Sequence, residues 1–190
     1  MRSFIAIELP PEIKNSLADL QNQLKAQQAD VKWVEPCNIH LTLKFLGEID
    51  DKKIKEVTQI LEDTTKDKNT FYIRISSMGA FPKINFPRVI WVGIDKGEEE
   101  VKQIAKSLEQ NLAKIGLPLE DRPFSSHITI GRIRSGLNRE RLVKGLNALE
   151  TNFGKEFAEF RVTRIILFKS TLTPQGPVYE ILNAANLKTN

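Results

Sequence analysis

The sequence predicts an α+β fold: a bilobal pseudo-twofold duplication, with two antiparallel sheets lining a central cleft and helices outside. Three observations predict it. Strand and helix patterns alternate without a regular βαβ rhythm, which favours antiparallel sheets. The element order of the first half recurs in the second. Both histidines fall at matching places in that order. The 190 residues, 41% hydrophobic and 27% charged, have ordinary globular composition. That length suits one domain, residues 1–190, made of two interleaved pseudo-symmetric lobes sharing a core.

Residues 2–8, RSFIAIE, read as a largely buried strand. Pro10 and Pro11 open a helix, with Ile13, Leu17, Leu20 and Leu24 at helical spacing to about residue 25. After VKWV and Pro36-Cys37-Asn38 comes a strong strand, IHLTLKFL, ending at Gly47. Asp50 or Asp51 caps a helix striped by Ile54, Val57, Ile60 and Leu61. FYIRIS, 71–76, is a strand, Pro82 and Pro87 bracket a loop, and RVIWVGI, 88–94, is a strand. The clearest helix spans about 98–115, with Val101, Ile104, Ala105, Leu108, Leu112 and Ile115 on one face. Gly116 and Pro118 stop it. The loop LEDRPFSS leads into the strand HITIGRI, and Gly136 breaks it. Asn138 caps a helix containing Leu142, Val143 and Leu146. One long strand region, 157–169, a turn around 174–177 and the strand VYEIL follow, and the last residues, LKTN, are expected to fray.

The halves correspond if RVIWVGI opens the second. The spacing from Phe4 to His40 then matches that from Val89 to His127 to within two residues. The loops GAFPKINFPRVIWV and STLTPQGPVYEI also match.

The formal net charge is +4, which mildly favours an anionic partner. No apolar run approaches the roughly 20 residues of a membrane helix, so no membrane partner is expected. The start, MRSFIAIELPPEIKNS, reads as a first strand and not as a secretory signal. The single cysteine, Cys37, excludes a disulfide framework, and a cytoplasmic location follows. Zinc sites built from His and Cys need three or four such ligands, and positions 37, 40 and 127 are all the chain offers. No metal and no cofactor are therefore expected. No Walker loop, GxGxxG or HExxH is present. With no dimerisation stripe evident, a monomer is expected.

Both histidines sit in one pattern: Asn38-Ile39-His40-Leu41-Thr42-Leu43 and Ser125-Ser126-His127-Ile128-Thr129-Ile130. On a strand, positions i and i+2 share a face. His40 and Thr42 therefore point one way, Leu41 and Leu43 the other, and His127 with Thr129 repeats the arrangement. A pseudo-twofold axis brings the two strands together across one cleft. Two facing imidazoles suit paired proton transfer, one taking a proton from an attacking hydroxyl and the other giving one to a leaving oxygen. The threonines can donate hydrogen bonds to oxygens that gain charge. Such a set fits metal-free in-line substitution at phosphorus, with cyclic phosphates as good candidates. Regular pleating puts Lys44 on the His40 face. Strict alternation turns Arg132 away, unless Gly131 allows a bulge that re-aims it. Arg122 and Arg134 flank the second motif. Phe4, Trp33 and Phe124 are candidates for base stacking. Cys37 reads as a small buried residue, and the Lys52, Lys53, Lys55 cluster as a helix's wet face.

These motifs, HLTL at 40–43 and HITI at 127–130, resemble those of the 2H phosphoesterase superfamily. MRSFIAIELP, NIHLTLKFLGEI and SSHITIGRIRS are similar to the RNA 2′,3′-cyclic phosphodiesterases, also called 2′-5′ RNA ligases, of bacteria and archaea. The resemblance implies hydrolysis of an RNA 2′,3′-cyclic phosphate end to a 2′-phosphomonoester, with reversible ATP-independent 2′-5′ ligation. It implies His40 as proton donor to the leaving 3′ oxygen and His127 as proton acceptor from water. Thr42 and Thr129 would hold the phosphate, and Arg132 matches a basic position. The near-symmetry alone does not assign acid and base. The implied partner is RNA with a 2′,3′-cyclic phosphate end, tRNA fragments among the candidates. Ser126 departs from the family, whose members often carry Pro there. The alternatives are a non-catalytic RNA-end binding protein and a cyclic phosphodiesterase acting on small nucleotides.

Overall fold

Continuous apolar runs make strands that are covered on both sides, and β1 (Arg2–Glu8) is one. Ile5 and Ile7 enter the main core, while Phe4 and Ala6 enter a second, smaller cluster on the opposite face. The structure, a computed structural model, describes residues 1–154 and 157–189. Pro11 starts α1 (Pro11–Lys25), whose stripe of Ile13, Leu17, Leu20 and Leu24 is buried. β2 (Val31–Trp33) and a 3₁₀ turn at Pro36–Asn38 lead to β3 (His40–Glu48). Asp50 caps α2 (Asp51–Thr65), its carboxylate accepting from the Lys53 amide at 2.7 Å. Then follow β4 (Phe71–Lys83), β5 (Phe86–Ile94), α3 (Glu98–Lys114), β6 (His127–Ile133) and α4 (Arg139–Asn152). β7 (Ala158–Val162), β8 (Arg164–Thr173) and β9 (Gly176–Asn186) complete the chain.

The strands form two antiparallel sheets, in the orders β3-β1-β8-β9 and β2-β6-β5-β4-β7. In each, a histidine strand pairs with the leading strand of its own half, which pairs with a strand from the other half: β3-β1-β8 in one, β6-β5-β4 in the other. The sheets meet where β3 contacts β6. One apolar core joins side chains of all four helices to Leu41, Leu43, Ile128 and Ile130. The faces carrying His40 and His127 point away from that core. No helix among the described residues is long and apolar enough to cross a membrane.

Several local expectations are corrected. Pro82 and Pro87 bracket only the two-residue turn at 84–85, and themselves lie within β4 and β5, directly opposite one another. The ladder shifts register beside this pair, so the missing N–H donors fall where pairing is already irregular. Region 157–169 is not one strand. β7 pairs with β4 and β8 with β1, so the chain changes sheets at Thr163. Asn138 precedes α4, but its side chain makes no cap bond and donates instead to Gln28 O at 2.8 Å. The end is pinned, not frayed, through Lys188: Leu187 is buried, and the Lys188 amide bonds Lys68 O at 2.7 Å. Asn190, part of the same expectation, lies outside the described residues.

Candidate active site

Both imidazoles are held in the same way. The Nδ1 of His40 lies 2.7 Å from Asn38 O, and that of His127 lies 2.9 Å from Ser125 O. A carbonyl oxygen only accepts, so in each ring Nδ1 carries the hydrogen. Nε2 is then the free nitrogen of each neutral ring. The partner is two residues upstream each time, because each histidine opens its strand just after an irregular segment.

His40 rests on an aromatic stack. Its ring lies 4.8 Å from Phe4, and Phe4 lies 5.2 Å from Phe168. Tyr179 meets Phe4 and His40 edge-on, at 4.9 and 5.4 Å. This burial lowers the His40 pKa below 6.5, against the bond to Asn38, and the Lys14 ammonium lowers it further. His127 meets Phe81 edge-on at 5.1 Å, and Phe81 packs on Trp91. The indole lies close over Gly79, where an added Cβ would come within 2.5 Å of Trp91 Cζ2. Burial lowers the His127 pKa too, the bond to Ser125 opposes this, and Arg132 adds to the lowering. Burial raises the Tyr179 phenol, with Arg2 and Arg132 acting the other way. The Arg132 charge thus reaches both His127 and Tyr179, the neighbour of His40.

Each imidazole lines its own hollow. That of His40, about 460 Å³, includes Lys14, Asn38 and Tyr179. That of His127, about 350 Å³, includes Ser77, Trp91, Ser126 and Lys102. Thr42 and Thr129 are half-buried, and neither hydroxyl has a hydrogen-bond partner among the described residues.

The cations behave differently from each other. In β6 the register shifts so that Trp91 pairs with Thr129 and Ile90 with Gly131, leaving Ile130 as an extra residue. This bulge sets Arg132 opposite Val89, two residues from Trp91 and on the same face as Trp91 and Thr129. The bulge that Gly131 allowed is present. Gly131 itself has no room for a side chain, since a Cβ would come within 2.9 Å of Val31. Lys44 is a correction. Ile5 pairs with Lys44 and Ala6 with Thr42, so Leu43 is an extra residue and pleating is not regular. Lys44 therefore turns to the Ile5 face, is 3% exposed, and bonds Pro118 O and Glu109 Oε2, both at 2.8 Å. Phe45, 58% exposed, takes the His40-side position instead, opposite Phe4.

Phe4 is a second correction. It is 3% exposed with rings stacked on both faces, so it supports His40 and offers no face to a base. Trp33 packs against the core beside Gly131, and Phe124 borders the His127 hollow. Cys37 is exposed, not buried, and its carbonyl accepts from Lys14 Nζ at 2.9 Å. Arg122 is exposed. Tyr179, Phe168, Phe81 and Lys14 escaped the sequence reading. Only Lys14 had a local signal, as a cation on the first turn of the helix that follows β1.

The chain matches the family described as LigT like Phosphoesterase twice, over residues 7–91 and 92–179. It is 37% identical over 182 residues to the RNA 2′,3′-cyclic phosphodiesterase of Methanocaldococcus jannaschii, covering 96% of this chain and 98% of that one. With the enzyme of that name from Methanothermobacter thermautotrophicus it shares 33% over 179 residues, covering 94% and 95%. A solved structure from Thermus thermophilus superposes with a TM-score of 0.81 at 27% identity, covering 98% of both chains. Two successive matches, meeting between Trp91 and Val92 in β5, together take in both histidine strands and the sheets behind them, and the chain belongs to the LigT-like phosphoesterases.

Proposed function

We propose that this protein hydrolyses RNA 2′,3′-cyclic phosphate ends to 2′-phosphomonoesters by two-histidine acid–base catalysis without a metal. The two hollows then form the two ends of one substrate site, with the phosphoryl group between His40 and His127. His127 Nε2 takes a proton from water as the water oxygen bonds to phosphorus. The P–O3′ bond breaks, and His40, protonated beforehand, delivers its proton to O3′. The product carries a 2′-phosphate and a free 3′-hydroxyl. Thr42 and Thr129 donate hydrogen bonds to the non-bridging oxygens, and Arg132 balances their charge.

The observation that carries this reading is the matched anchoring of both rings through Nδ1, which leaves both Nε2 atoms for proton transfer. The names of the relatives supply the substrate class. With an RNA 5′-hydroxyl in place of water, the same displacement forms a 2′-5′ linkage and needs no ATP. The reading takes the chain as one domain of two interleaved halves, supported by the shared strand order and the double family match. It takes the protein as monomeric and cytoplasmic, with tRNA fragments among its substrates.

The test is incubation with an RNA ending in a 2′,3′-cyclic phosphate, in chelator, for wild type and His127→Ala. Wild type yields the 2′-phosphate end, and the variant loses about 10²-fold or more in rate. Equal rates, as for a non-catalytic RNA-end binder, or dependence on added metal contradict the proposal.

A further inference from the structure

We propose that the RNA strand leading to the reacting end runs along the far half of β6, over Lys32, Arg132 and Arg134, to an Arg139–Phe86 platform. This rests on the reading of the site as an RNA-end phosphodiesterase and adds where the rest of the polymer lies.

The first observation is an uneven distribution of neutralised charge. Around the β1-β8-β9 sheet three cations have acidic partners, Arg164 and Lys14 on Glu8 and Lys169 on Glu180, and Arg2 alone in β1 has none among the described residues. Lys32, Arg132, Arg134 and Arg139 form no ion pair among the described residues. Asp30 lies across from Arg134, just outside the strands, and the bond between them runs from the Arg134 amide to the Asp30 carbonyl at 2.9 Å.

The second observation is that two of these cations oppose one another. Lys32 and Arg132 are direct partners in the β2–β6 ladder, and both are exposed. Like charges directly opposite across strands destabilise a sheet. A phosphate anion between them removes that repulsion. Arg134, also exposed, lies one residue past the end of β6 and two past Arg132, where its amide still bonds across to Asp30 O and continues the line of the strand. The row therefore leads outward from the guanidinium whose charge reaches both His127 and Tyr179.

The third observation lies at its outer end. The Arg139 guanidinium sits 4.7 Å from the centre of the Phe86 ring, at the tip of the β4–β5 hairpin. Arg139 Nε is buried without a hydrogen-bond partner, and Phe86 is 43% exposed. An aromatic face backed by a cation is a stacking platform for an unpaired base, with no need to read its identity. Phosphate-binding cations followed by a stacking ring suit single-stranded RNA better than an acidic protein.

The test compares a nucleoside 2′,3′-cyclic phosphate with an oligoribonucleotide ending in the same cyclic nucleotide. The variant is Lys32→Gln/Arg134→Gln/Arg139→Gln, with Phe86→Ala made separately. The triple variant loses about tenfold in kcat/KM on the oligonucleotide, while hydrolysis of the mononucleotide is unchanged and reports an intact fold. Its log–log salt dependence of oligonucleotide binding is shallower by about 2. Phe86→Ala weakens oligonucleotide binding and leaves the salt slope alone. Equal effects on both substrates, or none on either, overturn the inference. If wild type hydrolyses neither substrate, the phosphodiesterase reading fails. Binding of a 2′-phosphate-terminated oligonucleotide then decides the track separately: unaltered affinity in the triple variant overturns it.

Discussion

Leu43 and Ile130 are the same irregularity in the two halves: each is the extra residue of a bulge, immediately after the threonine of its histidine motif. The bulge ends the pleat that holds His and Thr on one face and re-aims everything beyond. Three residues past the threonine, it presents Phe45 in one half and Arg132 in the other. It also sends Lys44 behind the sheet, to Glu109. A backbone shared by both halves thus carries different chemistry on its two sides, with a cation at this strand position on the His127 side alone.

Arg132 and Lys44 therefore fail differently when removed. Arg132→Ala lowers kcat by about 10²-fold and leaves the urea midpoint unchanged. Lys44→Ala removes the buried ammonium that bonds Glu109 and Pro118 O, and costs about 2 kcal/mol of stability, with kcat of the folded protein retained. Urea denaturation and steady-state kinetics on both variants check this. A catalytic loss in Lys44→Ala without a stability loss contradicts the placement.

Turnover follows the lowered histidines. One ring must be neutral and the other protonated, and both pKa values lie below 6.5 in the free protein, chiefly through burial. The pH profile of kcat/KM is a bell with its maximum below pH 6.5, already falling at pH 8. A maximum above pH 7, or a flat profile, contradicts this assignment.

Stability carries the same sign. Unfolded, each imidazole takes up a proton near pH 6.5, while folded it resists until lower pH. Between those limits the unfolded chain binds more protons, so stability falls as pH drops below about 6.5 and levels beneath the folded values. Urea denaturation at pH 7.5 and pH 5 measures it. His40→Gln removes part of the loss, and an identical pH dependence in that variant contradicts the buried, neutral imidazole.

The aromatic bed under His40 has a separable role. Phe4→Leu keeps an apolar side chain but removes the ring between His40 and Phe168. The expected outcome is a fall in kcat with KM nearly unchanged, because the imidazole is less well held while nothing that touches substrate is lost. A rise in KM alone assigns Phe4 to substrate binding instead.

The sequence exposed what is periodic and local. Alternation in HLTL and HITI placed each Thr beside its His, and the helix stripes at Ile13–Leu24 and Val101–Leu112 are buried as their spacing predicts. Bulges were half legible: Gly131 signalled one, whereas Leu43 has no glycine beside it, so Lys44 was placed on the wrong face. Tyr179 lies 139 positions from His40 in sequence and meets it only because β8 and β9 cross into the first half's sheet. No local pattern encodes that crossing. The break at Thr163 was hidden because two apolar strands serving different sheets read as one run.

The central claim is that His40 and His127 act on opposite sides of one phosphoryl group. A crystal structure with the 2′-phosphomonoester product tests it most directly. The account predicts both Nε2 atoms within hydrogen-bond distance of oxygens around the same phosphorus, with the Thr42 and Thr129 hydroxyls on its other oxygens. A phosphate held by one imidazole, with the other too distant to reach it, contradicts the account.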